Sequence, residues 1–178
     1  MIRNLCYYDH PILRAKALPV VDFNDSLFHL IDDLKETVAA AKGIGLAAPQ
    51  IGVSLRVFIS CIKGEDEEQK LMFYDEPLVY INPILKNPGK KNLIASEGCL
   101  SIPKLKAQVF RPQSIDISYQ NEKEESFHRS YSGFSARVLM HENDHLNGVL
   151  FIDRLKKEER RKLEKDLALI KKKYASFR

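Results

Sequence analysis

Apolar residues recur along this chain with two different periods, and the switches between them mark its elements. Between about Ser26 and Ala41, Leu27, Leu30, Ile31, Leu34 and Val38 fall three and four apart, the spacing that lines one face of a helix. Asn24 to Ser26 offer capping side chains at its start, and Lys42-Gly43 closes its last turn. The run "LRVFISC", Leu55 to Cys61, reads as a buried strand, and "KGEDEEQK" after it as an exposed acidic loop. "LVYINP" and "SIDISYQ" predict further strands, the second turning around Asn121 so that "ESFHRSY" pairs back on it. A helix is expected from about Ser132 to Asn147, stopped by Asn147-Gly148.

The last segment carries the plainest helical pattern. Leu163, Leu167, Ile170, Tyr174 and Phe177 make one apolar seam flanked by Lys, Arg and Glu. The seam is expected to pack on the domain or on a partner. Several short strands and three helices that do not alternate with them predict an α+β fold rather than a doubly wound sheet. In that fold, short mixed or antiparallel strands would surround the helix bearing His141 and His145. No repeat or low-complexity linker interrupts the chain. Residues 1–155 are therefore expected to form one domain, with 156–178 as a basic helical extension.

Composition narrows the class. A chain of 178 residues is long enough for one sizeable core, and 44% hydrophobic with 29% charged residues describes a globular protein, not a disordered one. No stretch approaches the roughly 18 apolar residues of a membrane span. The segment "MIRNLCYYDHPIL" has neither an apolar signal core nor an Arg/Ser-rich leader, so the expected compartment is the cytoplasm. Three widely spaced cysteines, Cys6, Cys61 and Cys99, do not form a disulfide framework. The net charge of +4 is uneven: residues 156–178 hold 10 Lys/Arg against 4 Asp/Glu, and the rest of the chain 18 against 20. Such a tail is either a solvated helix face or a contact for an anionic surface.

Three segments carry chemistry. In "MHENDHLNGVLF", His141 and His145 lie one helical turn apart, so both imidazoles can reach one metal ion. Glu142 is offset by one position, placed to approach a metal-bound water without coordinating. Two histidines leave the site short of a ligand. Downstream, no His follows, and of Glu158, Glu159 and Glu164 only Glu164 neighbours the apolar seam. Upstream, "SEGCLSIP" offers Cys99, with Gly98 before it allowing close backbone approach. A thiolate with two imidazoles makes a His₂Cys site with a position open for water. The third segment, "GIGLAAPQIG", matches the G-x-G-x-x-A of a dinucleotide fold only mechanically, since its glycines follow a helix and Pro49 breaks any helix they could open. It reads better as an irregular strand along which a substrate backbone can lie, ending in a buried amide donor, Gln50.

Together "GIGLAAPQ", "EGCLS" and "HENDH", in that order, resemble peptide deformylase, with the likeness running from "YYDHPILRAKALPV" to "GVLFIDRL". The resemblance implies a hydrolase that removes the formyl group from the N-terminal methionine of newly made proteins. It makes Cys99, His141 and His145 the metal ligands and Glu142 the base, with Gln50 and the Leu100 backbone N–H holding the oxyanion. Ile44, Phe134, Val138 and His141 would line the methionine pocket, and Gly45, Glu97 and Gly98 would lie near the substrate backbone. Phe134 reads equally well as plain core. The donor set by itself suits zinc; the resemblance implies one Fe²⁺ per chain, replaceable by Zn²⁺, Ni²⁺ or Co²⁺. It also gives the basic tail a candidate partner, the ribosome, with no DNA or membrane partner expected. Two positions depart from the family: Met140 stands where Gln is common, and Lys106 where many members have Arg. The competing readings are a zincin-like metallopeptidase, which does not need Cys99, and a metal-bound, non-catalytic ribosome-associated module, which does not need Glu142.

Overall fold

The computed structural model describes residues 1–65 and 70–175. Helix α1, Asp25–Ala40, starts where Asn24 accepts a hydrogen bond from the Leu27 backbone N–H. It buries the expected stripe, Leu27, Leu30, Ile31, Leu34 and Val38. Strand β1, Gly45–Ala47, then opens a five-stranded sheet with β2 (Val57–Glu65), β3 (Leu71–Lys86) and, beyond the second sheet, β6 (Ser114–Gln120) and β7 (Ser126–Ser132). Its order is β1-β2-β3-β6-β7, and each pairing is antiparallel. Strands β4, Asn92–Cys99, and β5, Ile102–Pro112, form a separate two-stranded antiparallel sheet. Helix α2, Gly133–Leu146, follows β7 directly.

The five-stranded sheet has a helix on each side, which explains why the consecutive β2 residues Val57, Phe58 and Ile59 are all apolar and buried. Ile59 of β2 with Val79 and Ile81 of β3 packs under α1, while Phe58 and Tyr80 pack against Ala136, Leu139 and Met140 of α2. Successive strand residues thus serve opposite layers. A third apolar cluster joins β5 (Ile102, Leu105, Val109) to Leu13 and to Phe151 and Ile152. Among the described residues the fold is α+β, with antiparallel sheets and four α-helices.

Some expectations need correcting. Of the mixed or antiparallel strands expected, the sheets take the antiparallel form, and among the described residues no parallel pairing is present beyond an isolated bridge between Leu18 and Leu55. Nor are all strands short: β3 runs 16 residues. Lys63 to Glu65, read as loop, extend β2, while residues 66–69 of that loop lie outside the described residues. The C-terminal helix is two helices, α3 (Lys157–Lys162) and α4 (Glu164–Lys173), meeting at Leu163. The seam packs inward: Leu167 is buried, Leu163 and Ile170 rest against the third cluster, and Tyr174 stacks on Tyr7 at 3.8 Å. Phe177 lies outside the described residues.

Candidate active site

The five-stranded sheet, the β4–β5 hairpin and α2 meet around a cleft of about 600 Å³. Cys99 ends β4 and pairs with Ile102 of β5 across the two-residue turn Leu100-Ser101. One step earlier Gly98 pairs with Lys106, so the register jumps and Pro103, Lys104 and Leu105 form a bulge beside the cysteine. Histidines 141 and 145 stand on α2, one turn apart, with ring centroids 5.1 Å from each other. One donor atom from each of Cys99, His141 and His145 lies within 4.8 Å of the others, and His145 Nε2 is 3.3 Å from Cys99 Sγ. Two donors sharing one ion at 2.0–2.3 Å in tetrahedral geometry sit roughly 3.5 Å apart, so sulfur and imidazole are spaced for a common cation. Among the described residues no other group of this kind is present. Glu164 is exposed at the start of α4 and does not belong to it.

Glu142 is 4% exposed, and its Oε2 has no hydrogen-bond partner. Burial pushes its carboxyl up to about 7. A Cβ on Gly45 would lie 2.6 Å from Glu142 Oε1, so β1 and α2 approach this closely only because position 45 lacks a side chain. Gln50 is buried in the 3-10 turn Ala48–Ile51. Its Oε1 accepts the Ala47 backbone N–H at 2.9 Å, which turns Nε2 toward Ser101 Oγ (3.2 Å) and Cys99 Sγ (3.5 Å). Leu100 lines the cleft and touches the Gly43 side of the opening. Ile44 and Phe134, both half-buried, and the buried Val138 give the cleft its apolar wall. His145 lies beneath the lining residues, 1% exposed.

A family model described as polypeptide deformylase matches residues 2–161. The peptide deformylase of Chlorobium limicola is 43% identical over 168 residues, covering 94% of this chain and 88% of that protein. That of Chlorobaculum parvum is 42% identical over 171 residues, covering 96% and 89%.

The chain belongs to the polypeptide deformylase family.

Solved deformylases share its fold. An Arabidopsis thaliana enzyme in complex with an inhibitor superposes with a TM-score of 0.86 at 36% identity, covering 97% of this chain and 92% of that one. The Thermotoga maritima enzyme gives 0.79 at 35%, covering 88% and 99%. Like its family, the protein is a metal-dependent hydrolase that removes the formyl group from the N-terminal methionine of nascent chains.

Sequence reasoning missed the ionic frame behind this deformylase cleft. Glu97 was expected beside the substrate backbone. It lines the cleft, but its carboxylate turns inward: Arg111 Nε and Nη2 donate to its two oxygens at 2.8 and 2.9 Å, Arg137 Nη1 at 2.6 Å, and His141 Nδ1 lies 3.1 Å away. Burial opposes its charge, yet the hydrogen bonds from Arg111 and His141 outweigh that and hold the carboxyl well below its usual range. An ionised Glu97 only accepts, so Nδ1 of His141 carries the proton and Nε2 faces the ligand cluster. Arg111 Nη1 also donates to Asp144 of α2 at 2.7 Å, and Arg154 closes on Asp144 from the other side at 2.5 and 3.0 Å. Arg111 therefore ties the strand of Cys99 to the helix of both histidines. Burial lowers the tendency of each imidazole to hold a second proton. For His141 the Cys99 and Glu97 hydrogen bonds reverse this and raise it to about 10, whereas His145, beside His141 and Arg111, stays well below its ordinary value. The signal for this frame was the D of "HENDH", a carboxylate on the buried side of the helix with no reason to be there unless paired.

Of the two departures, Met140 is buried in the core beneath the sheet and does not line the cleft, whereas Lys106 does.

Proposed function

We propose that Cys99, His141 and His145 hold one divalent ion, Fe²⁺ in the cell, and that Glu142 moves the protons of formamide hydrolysis beside it. The convergence of the three donors within 4.8 Å carries this reading. When bound, such an ion supplies a Lewis acid that acidifies water and polarises the formyl carbonyl. Glu142 takes a proton from the attacking water and returns it to the departing amine. A carboxyl raised to about 7 is suited to both halves of that exchange near neutrality. Gln50 Nε2, its orientation fixed by Ala47, and the Leu100 backbone N–H hold the negative oxygen as the carbonyl becomes tetrahedral. Water and the formamide become formate and a free methionine amine.

Substrate contacts follow from the cleft wall. Ile44, Phe134 and Val138, with the face of His141, take the methionine side chain, and the backbones of Gly45, Glu97 and Gly98 lie near its main chain. The formyl carbon carries only hydrogen, so a closely packed site excludes an acetyl group by size. Glu97 acts here by orienting His141.

Iron rather than zinc is supported by the family resemblance; the donor set alone accepts either ion. Cys99→Ala removes the donor that separates this reading from a zincin. Anaerobically prepared wild type should carry about one iron per chain by elemental analysis, and the variant less than a tenth of that. Full metal content in the variant would return the case to a two-histidine site completed elsewhere.

Residues 1–155 form the hydrolase domain in this reading. Residues 156–178 are an extension whose apolar seam is anchored on it and whose basic face meets ribosomal RNA phosphates in the cytoplasm. Because Leu167 is part of the core, the test is charge reversal rather than deletion. Lys165, Lys172 and Lys173, exposed on α4, changed together to Glu should weaken salt-sensitive ribosome binding; equal binding would remove the ribosome from the account.

A further inference from the structure

We infer that Lys42, Lys104 and Lys106 make the mouth of the cleft a selector for acidic side chains just downstream of the formylmethionine. The inference rests on the deformylase reading and adds a preference that this chain's own residues impose.

All three lysines line the cleft, and all three are exposed. Among the described residues, no carboxylate pairs with any of them. The carboxylates that line the same cleft, Glu97 and Glu142, are buried in its floor, and Glu97 is already matched by Arg111 and Arg137. The mouth therefore presents uncompensated positive charge.

The lysines come from different elements of the cleft lining. Lys42 leads from α1 into β1, while Lys104 and Lys106 belong to β5. Lys104 sits in the bulge beside Cys99 with φ of 66°, and Lys42 has φ of 53°. Lys106 is paired with Gly98, the residue before Cys99. Its Cγ and Cε lie 3.3 and 3.8 Å from where a Gly98 Cβ would stand, so its stem crosses the open glycine at the edge of the reaction centre.

Distance sets which substrate positions feel this charge. An extended chain rises about 3.3 Å per residue, so positions two to four fall within roughly 10 Å of the first residue. Screening at physiological salt acts over about 8 Å, so charges at these positions are only partly masked. An ammonium on a flexible stem offers charge without the planar fork of a guanidinium. The selection is therefore by sign, not by one hydrogen-bonding geometry.

The test compares amidated peptides formyl-Met-Ala-X-X with X as Asp, Ser or Lys, so that no terminal carboxylate confuses the reading. Deformylation of the Ser peptide reports the underlying activity, and the Asp-to-Lys ratio of kcat/KM reports the selection. The expected ratio is about five- to tenfold in low salt, as a few exposed pairs would give, and it should fall toward one in about 1 M salt. Within a variant carrying K42Q, K104Q and K106Q it should also approach one, whatever that variant's absolute rate. A ratio near one in the wild type, or one that survives high salt or the triple change, would overturn the inference. Absence of turnover on the Ser peptide by the wild type would instead overturn the reading beneath it.

Discussion

Glu142→Ala should lower kcat on a formyl-Met peptide by about 10²–10⁴, the range contributed by a positioned acid–base group, with no loss of bound metal. Three features separate the effect from unfolding. Glu142 is not among the clustered donors, its Oε2 has no hydrogen-bond partner, and its burial favours the protonated form. Its removal therefore strands no partner, and thermal stability should hold. Gly45→Ala provides the graded version. The new Cβ would meet Glu142 Oε1 at 2.6 Å, so the carboxylate must shift while keeping its chemistry, and a displacement of that order costs up to about 10² in rate. A Glu142→Ala enzyme within tenfold of wild type would favour the non-catalytic binding module.

Arg111→Leu should be strongly destabilising, by about 3–5 kcal/mol in urea unfolding, because it takes the shared cation from two buried carboxylates. Arg111 is 3% exposed and bridges Glu97 to Asp144. Burying an ion pair is of doubtful benefit in itself, but removing Arg111 leaves Glu97 to Arg137 alone and Asp144 to Arg154 alone, two carboxylates each short of a buried partner. The same change frees Glu97, whose carboxylate orients His141, so metal affinity should fall about 10–100-fold in whatever fraction folds. Arg111→Lys should recover only part of the loss, since an ammonium cannot reproduce the two parallel bonds to Glu97 together with the third to Asp144. A loss below about 1 kcal/mol for Arg111→Leu would mean that the frame is ornamental.

These two predictions draw on different layers of what the sequence allowed. The candidate site was legible because its residues sit in contiguous motifs. The positions of Cys99, His141, His145, Glu142 and Gln50 could be named before any fold was known, and the structure brings all five together. Regular elements were legible where one period ran uninterrupted. Strand β6 spans Ser114–Gln120 as the alternation implies, and α1 falls within one residue of its expected bounds. The β4–β5 hairpin was not legible. Gly98 and Pro103 interrupt its alternation, and the bulge at Lys104 breaks the register that a pattern would follow. Nor was the inward turn of Glu97: its partner Arg111 lies 14 residues away and reaches it only because the hairpin folds back. The single long C-terminal helix failed at Leu163, where the chain breaks between α3 and α4 while the apolar seam continues across the break.

The central claim is that this cleft, loaded with its metal, hydrolyses formamides at the N-terminus of methionine peptides. Formate release from a formyl-Met tripeptide, by anaerobically prepared wild type of measured metal content, tests it most directly. The account predicts formate in step with one iron per chain and no acetate from the acetylated counterpart. A metal-loaded protein that releases no formate but cuts internal peptide bonds would contradict it.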